Sequence, residues 1–285
     1  MQERPGEHAW PAPAKLNLML RVLGRRPDGY HHLQTVFQFI DKQDLLFFDL
    51  RRDGRIRRIS RLAGVQEEAD LVVRAARLLQ SRAGCRLGVD IRVDKRLPMG
   101  GGLGGGSSDA ATTLVALNKL WNTRLSEREL MGLGLELGAD VPIFVHGRAA
   151  WGEGIGELLT PVDLAEPWYL VLVPSCQVAT GQVFSDRDLT RDSAPIRIAD
   201  FVAGDDQNDC ADVVRQRYPE VAAALDWLAS ICRARLTGTG ACVFCVFSSG
   251  EQARAAHSVV PPRFSAFVAR GMNRSPLMEA VRTLP

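Results

Sequence analysis

Residues Leu97–Ala111 read L-P-M-G-G-G-L-G-G-G-S-S-D-A-A, and six of the seven positions from Gly100 to Gly106 are glycine. Such a run forms no stable strand or helix of its own, because glycine loses the most backbone entropy on ordering. It is tolerated where the chain curls tightly or approaches a ligand closely. Its flanks are regular. Upstream, G-V-D-I-R-V-D at 88–94 alternates Val89, Ile91 and Val93 with charged residues, the period of a half-buried strand. Downstream, Ala110, Leu114, Leu117 and Trp121 recur at helical spacing, with Ser107 or Ser108 placed as the N-cap. The motif is strand, glycine loop, helix N-terminus. The free N–H groups and positive dipole end of that helix favour an anion, most simply a phosphate. A flexible linker rarely joins a strand to a capped helix.

Two familiar phosphate loops fit incompletely. G-x-G-x-x-G matches at Gly100, Gly102 and Gly105, but in a glycine run that match is nearly automatic. A dinucleotide fold also needs a second parallel strand after the helix, ending in an acid about 20 residues on. Here the helix ends near Trp121, and S-E-R-E at 126–129 opens a second helix with a capping box. Walker A spacing is also nearly met, except that Gly106 stands where the lysine belongs. If this loop holds ATP, the cation near the transferred phosphoryl comes from elsewhere in the chain.

The remaining composition narrows the partners. A net charge of +2 gives no support for a nucleic-acid or membrane-surface partner. The cluster Arg51, Arg52, Arg55, Arg57, Arg58 and Arg61 is interleaved with Asp53 and Gly54 and reads as a solvated hairpin. Six cysteines are scattered through a chain too large to need staples. Cys242 and Cys245 have C-x-x-C spacing but lie in the apolar run 241–247, where a strand puts them on opposite sides, so neither a metal site nor a redox pair is expected. The pattern suits a reducing cytosol. M-Q-E-R-P-G-E-H-A-W at the start lacks a signal-peptide core, and no stretch reaches transmembrane length, so the expectation is a cytoplasmic protein with a loose polar segment at 1–9.

Along the chain, a strand is expected after Pro13, with Lys15 and Asn17 on one face, followed by a turn at 24–31. Segments 35–39 and 44–49 look like a strand pair or meander, and 71–83 is helical by period. Gly138 is a helix C-cap candidate. Pro142 stops helical continuation and leaves Asp140 at a helix tip before an apolar run. A hairpin or loop at 147–157 precedes a seam near 161–167. Beyond it come a buried strand at 168–173, a helix start at 180–184, a helix at 219–228, a glycine turn at 235–240, a strand at 241–247, a helix at 251–257 and an extended segment at 263–269. The class is α+β, divided at the seam into residues 1–162, carrying the glycine loop, and 163–285.

Four polar, glycine-marked segments now stand in order: P-A-K-L-N-L at 13–18, the 98–109 loop, L-G-A-D-V-P at 137–142 and L-T-G-T-G-A at 236–241. In order and spacing they resemble the GHMP kinases, named for galactose, homoserine, mevalonate and phosphomevalonate. Pro98, Gly102-Leu103-Gly104, Gly106-Ser107-Ser108 and Ala110-Ala111 carry the loop match. With G-R-R-x-D-G-Y-H at 24–31, the blocks are most similar to the branch that phosphorylates a cytidine diphosphate sugar alcohol in isoprenoid precursor biosynthesis. The resemblance implies a two-domain fold, an N-terminal ribosomal-protein-S5-like ATP domain and a C-terminal ferredoxin-like α/β sandwich, with the active site in the cleft between them.

It also implies roles. Asp140 is the general base for the acceptor hydroxyl, and Lys15 stabilises charge on the moving phosphoryl, supplying the cation missing at 106. Pro98, Met99, Gly100, Gly101, Gly102, Leu103, Gly104, Gly105, Gly106, Ser107 and Ser108 wrap the ATP triphosphate, and Gly238, Thr239 and Gly240 close over the phosphates or the acceptor. Tyr30, His31 and Phe184 take the cytosine ring, consistent with bases stacking on aromatic faces. His31 is chosen over His32 by family position. Asn17 and Thr180 bind the diphosphate or sugar-alcohol part. Mg²⁺ is expected with ATP, held mostly by phosphates and water with one hydroxyl from Ser107 or Ser108, since no carboxylate cage is evident. Asn208-Asp209 matches a family block, with Ala211 where an acid is often found. The expected partner is a small molecule, with no nucleic acid or membrane, and the chain is a monomer or weak homodimer. A homoserine-type acceptor is disfavoured by the Asp-Gly-Tyr-His turn, and a non-catalytic nucleotide sensor by the presence of both Lys15 and Asp140.

Overall fold

Two long strands organise the molecule, β1 (Trp10–Arg25) and β2 (His31–Arg51), paired antiparallel around the 26–30 turn. The computed structural model describes residues 8–62 and 64–283; of the segment expected to be loose at 1–9, residues 1–7 lie outside this range. β1 starts earlier than expected and includes Pro11 and Pro13. Prolines are tolerated there because, among the described residues, β2 is the only strand that pairs with this stretch, and a register shift follows Pro13. The expected pair at 35–39 and 44–49 is one strand. No glycine or proline separates its halves, and only a register shift against β1 falls between them, where Pro13 pairs with Gln43 and Ala14 with Ile40.

The remaining elements of the first part are β3 (Ile56–Arg58), α1 (Leu71–Ala83), β4 (Gly88–Asp94), α2 (Gly105–Leu120), α3 (Glu127–Leu137), α4 (Val141–His146), β5 (Ala150–Glu153) and β6 (Leu158–Pro161). β7 (Trp168–Val173), α5 (Thr180–Ser185), α6 (Ile198–Val202), α7 (Ala211–Arg217), α8 (Pro219–Ala229), β8 (Arg235–Leu236), β9 (Val243–Phe247), α9 (Gly250–Ser258), β10 (Ser265–Met272) and α10 (Pro276–Thr283) follow. One sheet runs β3-β4-β2-β10-β7-β9-β8, with β1 and β5 also on β2 and β6 on β5. β10 joins the two parts: Ser265–Arg270 pairs with β7, while Gly271 and Met272 pair with Ile40 and Phe39 of β2. α10 then returns to the first part, where Leu277 is buried in the cluster built by α1 to α4.

Several expectations change. The arginine cluster is not a hairpin: β3 pairs parallel to β4, and Arg51, Arg57 and Arg58 are matched by Asp53, Asp90 and Asp70. The apolar run after Asp140 is a helix, α4, because Pro142 falls in its first turn, where the missing N–H is no loss. α2 begins before the serines, with Gly104 in the left-handed region (φ 72°) at the N-cap. Cys242 and Cys245 do face opposite clusters across the sheet. Cys245, however, is bonded to Cys232, a disulfide the sequence did not anticipate; it arises because β9 brings Cys245 under the segment that follows α8.

Candidate active site

The glycine run is pinned at two apolar anchors. Leu97 and Leu103 are both buried, and the carbonyl of Leu103 accepts from Lys15 N of β1 at 3.0 Å. At Gly101 and Gly102, between them, the backbone comes too close to its neighbours for a side chain. A Cβ on Gly102 (φ +73°) would lie 2.6 Å from Thr237 O and 2.8 Å from Gly240 O. Because α2 starts at Gly105, its first-turn N–H groups have no carbonyl partners within the helix. They open on a cavity of about 410 Å³ lined by the loop together with Leu62, Val65, Leu71, Lys95 and Asp140.

Lys15 and Asn17 share a face of β1, as their spacing requires. Lys15 is buried, and its ammonium donates to Asn17 Oδ1 (2.5 Å) and Gly102 O (3.1 Å) and lies 3.1 Å from Asp140 Oδ2. Asn17 is oriented by donating through Nδ2 to Thr35 Oγ1 at 2.9 Å, and Thr35 donates onward to Met19 O. Asp140 occupies the N-cap position of α4 without capping it, which leaves its half-exposed carboxylate free to meet Lys15.

A second cavity, about 290 Å³, is lined by Lys15, Asn17, Thr35, Asp140, Thr180, Phe184, Gly238 and Thr239. Asp140, Gly102 and Ser107 line both cavities, so the carboxylate stands at the junction of the glycine loop and the second chamber. The 236–240 turn forms one wall. It is braced by Asn208 Nδ2, which donates to Leu236 O and Gly238 O at 2.9 Å each, and by the Thr180–Thr239 hydroxyl pair at 2.9 Å. Asp209 of the same block accepts from Val22 N and Ser193 Oγ.

The second chamber leads to a third, about 460 Å³, lined by Arg25, Asp28, Tyr30, His31, Thr180 and Phe184. His31 is buried and stacks on Phe184, with ring centroids 5.1 Å apart and planes at 24°, whereas His32 points to solvent. Burial, with the charges of Arg191 and Arg25, holds the His31 pKa below its ordinary value. Tyr30 is 57% exposed and joins no ring stack among the described residues.

One constellation carried no sequence signal. Lys95 donates to Asp44 Oδ2 (2.5 Å) and Asp109 Oδ2 (2.6 Å), tying the entrance of the glycine loop to α2. Asp44 also accepts from the N–H groups of Arg96 and Leu97. Among the described residues the Asp109 carboxylate accepts from Lys95 alone and keeps a buried, unpartnered Oδ1. Burial, reinforced by the neighbouring Asp44 and opposed by Lys95, pushes its carboxyl up to about 7. The triad joins β2, the loop entrance and α2, a meeting only the tertiary fold creates. Ser108 lies behind the loop with its hydroxyl buried and unpartnered. Among the described residues, no group of three or more His, Cys, Asp or Glu could hold a metal ion, and no helix is long and apolar enough to cross a membrane.

A glycine loop opening a helix, a lysine–carboxylate pair at the junction of two chambers and an α+β frame together suit phosphoryl transfer between two bound molecules. Residues 70–148 match the GHMP kinases N terminal domain and residues 190–264 the GHMP kinases C terminal. The chain belongs to the GHMP kinases and is a phosphotransferase. It is 57% identical over 272 residues to 4-diphosphocytidyl-2-C-methyl-D-erythritol kinase of Nitrosococcus oceani, covering 95% of this chain and 97% of that one. To the enzyme of the same name from Alkalilimnicola ehrlichii it is 58% identical, over 96% of this chain and 94% of the other. A crystal structure of 4-(cytidine 5'-diphospho)-2C-methyl-D-erythritol kinase superposes with a TM-score of 0.80 at 31% identity, covering 93% of this chain and 99% of that one.

Proposed function

We propose that the protein uses ATP to phosphorylate the 2-hydroxyl of 4-diphosphocytidyl-2-C-methyl-D-erythritol, giving the 2-phosphate and ADP. The observation that carries this reading is the position of Asp140, at the junction of the glycine-loop cavity and a chamber that runs on to the His31–Phe184 stack. Asp140 takes the proton of the hydroxyl as its oxygen bonds to the γ-phosphorus. The bond from that phosphorus to the β-phosphate bridging oxygen breaks, and ADP leaves. Lys15, held against Gly102 O and Asp140, offsets charge on the moving phosphoryl. Phosphoryl transfer has a loose transition state, so placement and electrostatics supply most of the acceleration, with general-base help adding ~10²–10⁴-fold.

The triphosphate rests on the backbone of Pro98–Ser108 and the start of α2, and Gly238 and Thr239 close the opposite wall. Asn17 and Thr180 face the diphosphate and erythritol part, and Tyr30, His31 and Phe184 hold the cytosine. Mg²⁺ bound with the nucleotide would supply neutralisation of the phosphate charge. Phosphates and water would hold the ion, with Ser107, which lines both cavities, as the protein contact. Residues 1–162 would form the ATP domain and 163–285 the second domain, with this site in the cleft between them.

The test is ADP release with ATP, Mg²⁺ and either the cytidyl substrate or homoserine. ADP formed only with the cytidyl substrate supports the reading. Folded protein that releases none, or that prefers homoserine, contradicts it.

A further inference from the structure

His31 faces the base chamber, and a residue outside every sequence motif decides how it does so. Arg191, in the segment between α5 and α6, donates through Nε to His31 Nε2 at 3.2 Å. The rest of its guanidinium is clamped by backbone carbonyls: Nη2 donates to Phe184 O (2.9 Å) and Asp186 O (2.5 Å), and Nη1 to Leu189 O (3.2 Å). The arginine is therefore fixed by the same segment that carries Phe184, the ring stacked on His31.

A guanidinium has five donors, no acceptor and does not deprotonate in proteins. The imidazole nitrogen facing it must accept. Burial and the two nearby cations, Arg191 and Arg25, disfavour a second proton on the ring. The single ring proton then sits on Nδ1, and no described residue hydrogen-bonds that nitrogen. His31 lines the base chamber, so the group it has left to offer a base there is a donor rather than an acceptor.

We infer that Arg191 is a positioning residue that locks His31 in its Nδ1–H form and so makes the chamber select cytosine over uracil. Cytosine N3 is an unprotonated acceptor that an Nδ1–H can meet, whereas uracil N3 carries a hydrogen and would face it donor to donor. A site built around one such hydrogen bond rejects the analogue that cannot complete it, because the buried donor is left unpaired. This rests on the proposal that a cytidyl acceptor occupies the chamber, but the tautomer itself does not.

The experiment has two arms. In ligand-free protein, ¹⁵N NMR of His31 reads the tautomer directly. The wild-type ring is expected as Nδ1–H, and Arg191→Met as a mixture containing Nε2–H. In the second arm, kcat and KM are measured with cytidyl and uridyl forms of the acceptor. Arg191→Met should narrow the cytidyl preference about tenfold, the worth of one hydrogen bond, through KM with kcat held. A wild-type Nε2–H ring, or an unchanged cytidyl-to-uridyl ratio in Arg191→Met, overturns the inference. Should Arg191→Met fail to fold, the wild-type tautomer decides alone. If neither pyrimidine substrate is turned over, the functional proposal fails while the tautomer arm still stands.

Discussion

Replacing Gly102 by alanine should damage both stability and nucleotide use, while the same change at Gly106 should not. Gly102 sits at φ +73°, where an L-residue pays roughly 1–2 kcal/mol. Its new Cβ would lie 2.6 Å from Thr237 O and 2.8 Å from Gly240 O, both main-chain atoms of the braced turn that cannot rotate aside. Relieving that overlap means lifting the loop off the turn, an overpacking cost of about 1–3 kcal/mol. The sum, about 2–5 kcal/mol, is a large part of the ~5–15 kcal/mol that holds a typical domain folded. The lifted loop also loses its carbonyl contact with Lys15, so KM for ATP should rise along with the loss of stability. Gly106 lies in the first turn of α2 with ordinary helical backbone, and its nearest neighbour would be Leu71 Cδ1 at 3.5 Å. Alanine there should be neutral or stabilising by about 0.5–1 kcal/mol. Urea unfolding and ATP-dependent initial rates of the two variants give the comparison. Equal stability of Gly102→Ala and wild type, or an equal loss at Gly106, would refute the reasoning.

Two further outcomes are expected. The Asp109 carboxyl is pushed up to about 7, so the folded state holds its proton more tightly than the unfolded chain; the stability this contributes is complete below pH ~4 and lost as pH rises through ~7. Asp109→Asn should flatten that slope in urea unfolding between pH 5 and 8, and an unchanged slope would rule the group out. Phe184→Ala removes the ring stacked on His31 and should raise KM for the cytidyl substrate about 5–150-fold, equivalent to ~1–3 kcal/mol of base stacking, with kcat nearly held; a fall in kcat with KM unchanged would place Phe184 elsewhere in the reaction.

Local signals were readable where local chemistry decides. Asp70 caps α1 by accepting from Val72 N, Gly84 ends it in the left-handed region, and the helix runs over the residues its period predicts. The same holds for the alternating strand 88–94 and the Ser126–Glu129 capping box. The Lys15–Asp140 pair was visible only through the resemblance, because 125 positions separate the two and nothing local joins them. What stayed hidden depends on tertiary placement. β2 runs on through a register shift against β1 that leaves no turn residue in the sequence. α2 starts early because glycine's weak preferences let the loop decide, and the serines that looked like caps fall inside the helix. Arg191 and the Lys95–Asp44–Asp109 triad are ordinary charged residues until the fold aims them at the chambers.

The central claim is that Asp140 takes the acceptor's proton from between the two chambers. Asp140→Asn keeps the size of the side chain and a hydrogen-bonding oxygen for Lys15 but removes the base. With saturating cytidyl substrate, kcat should fall by ~10²–10⁴-fold, while the Kd for ATP, measured by calorimetry, stays within a few-fold of wild type. An unchanged kcat in that variant would contradict the account.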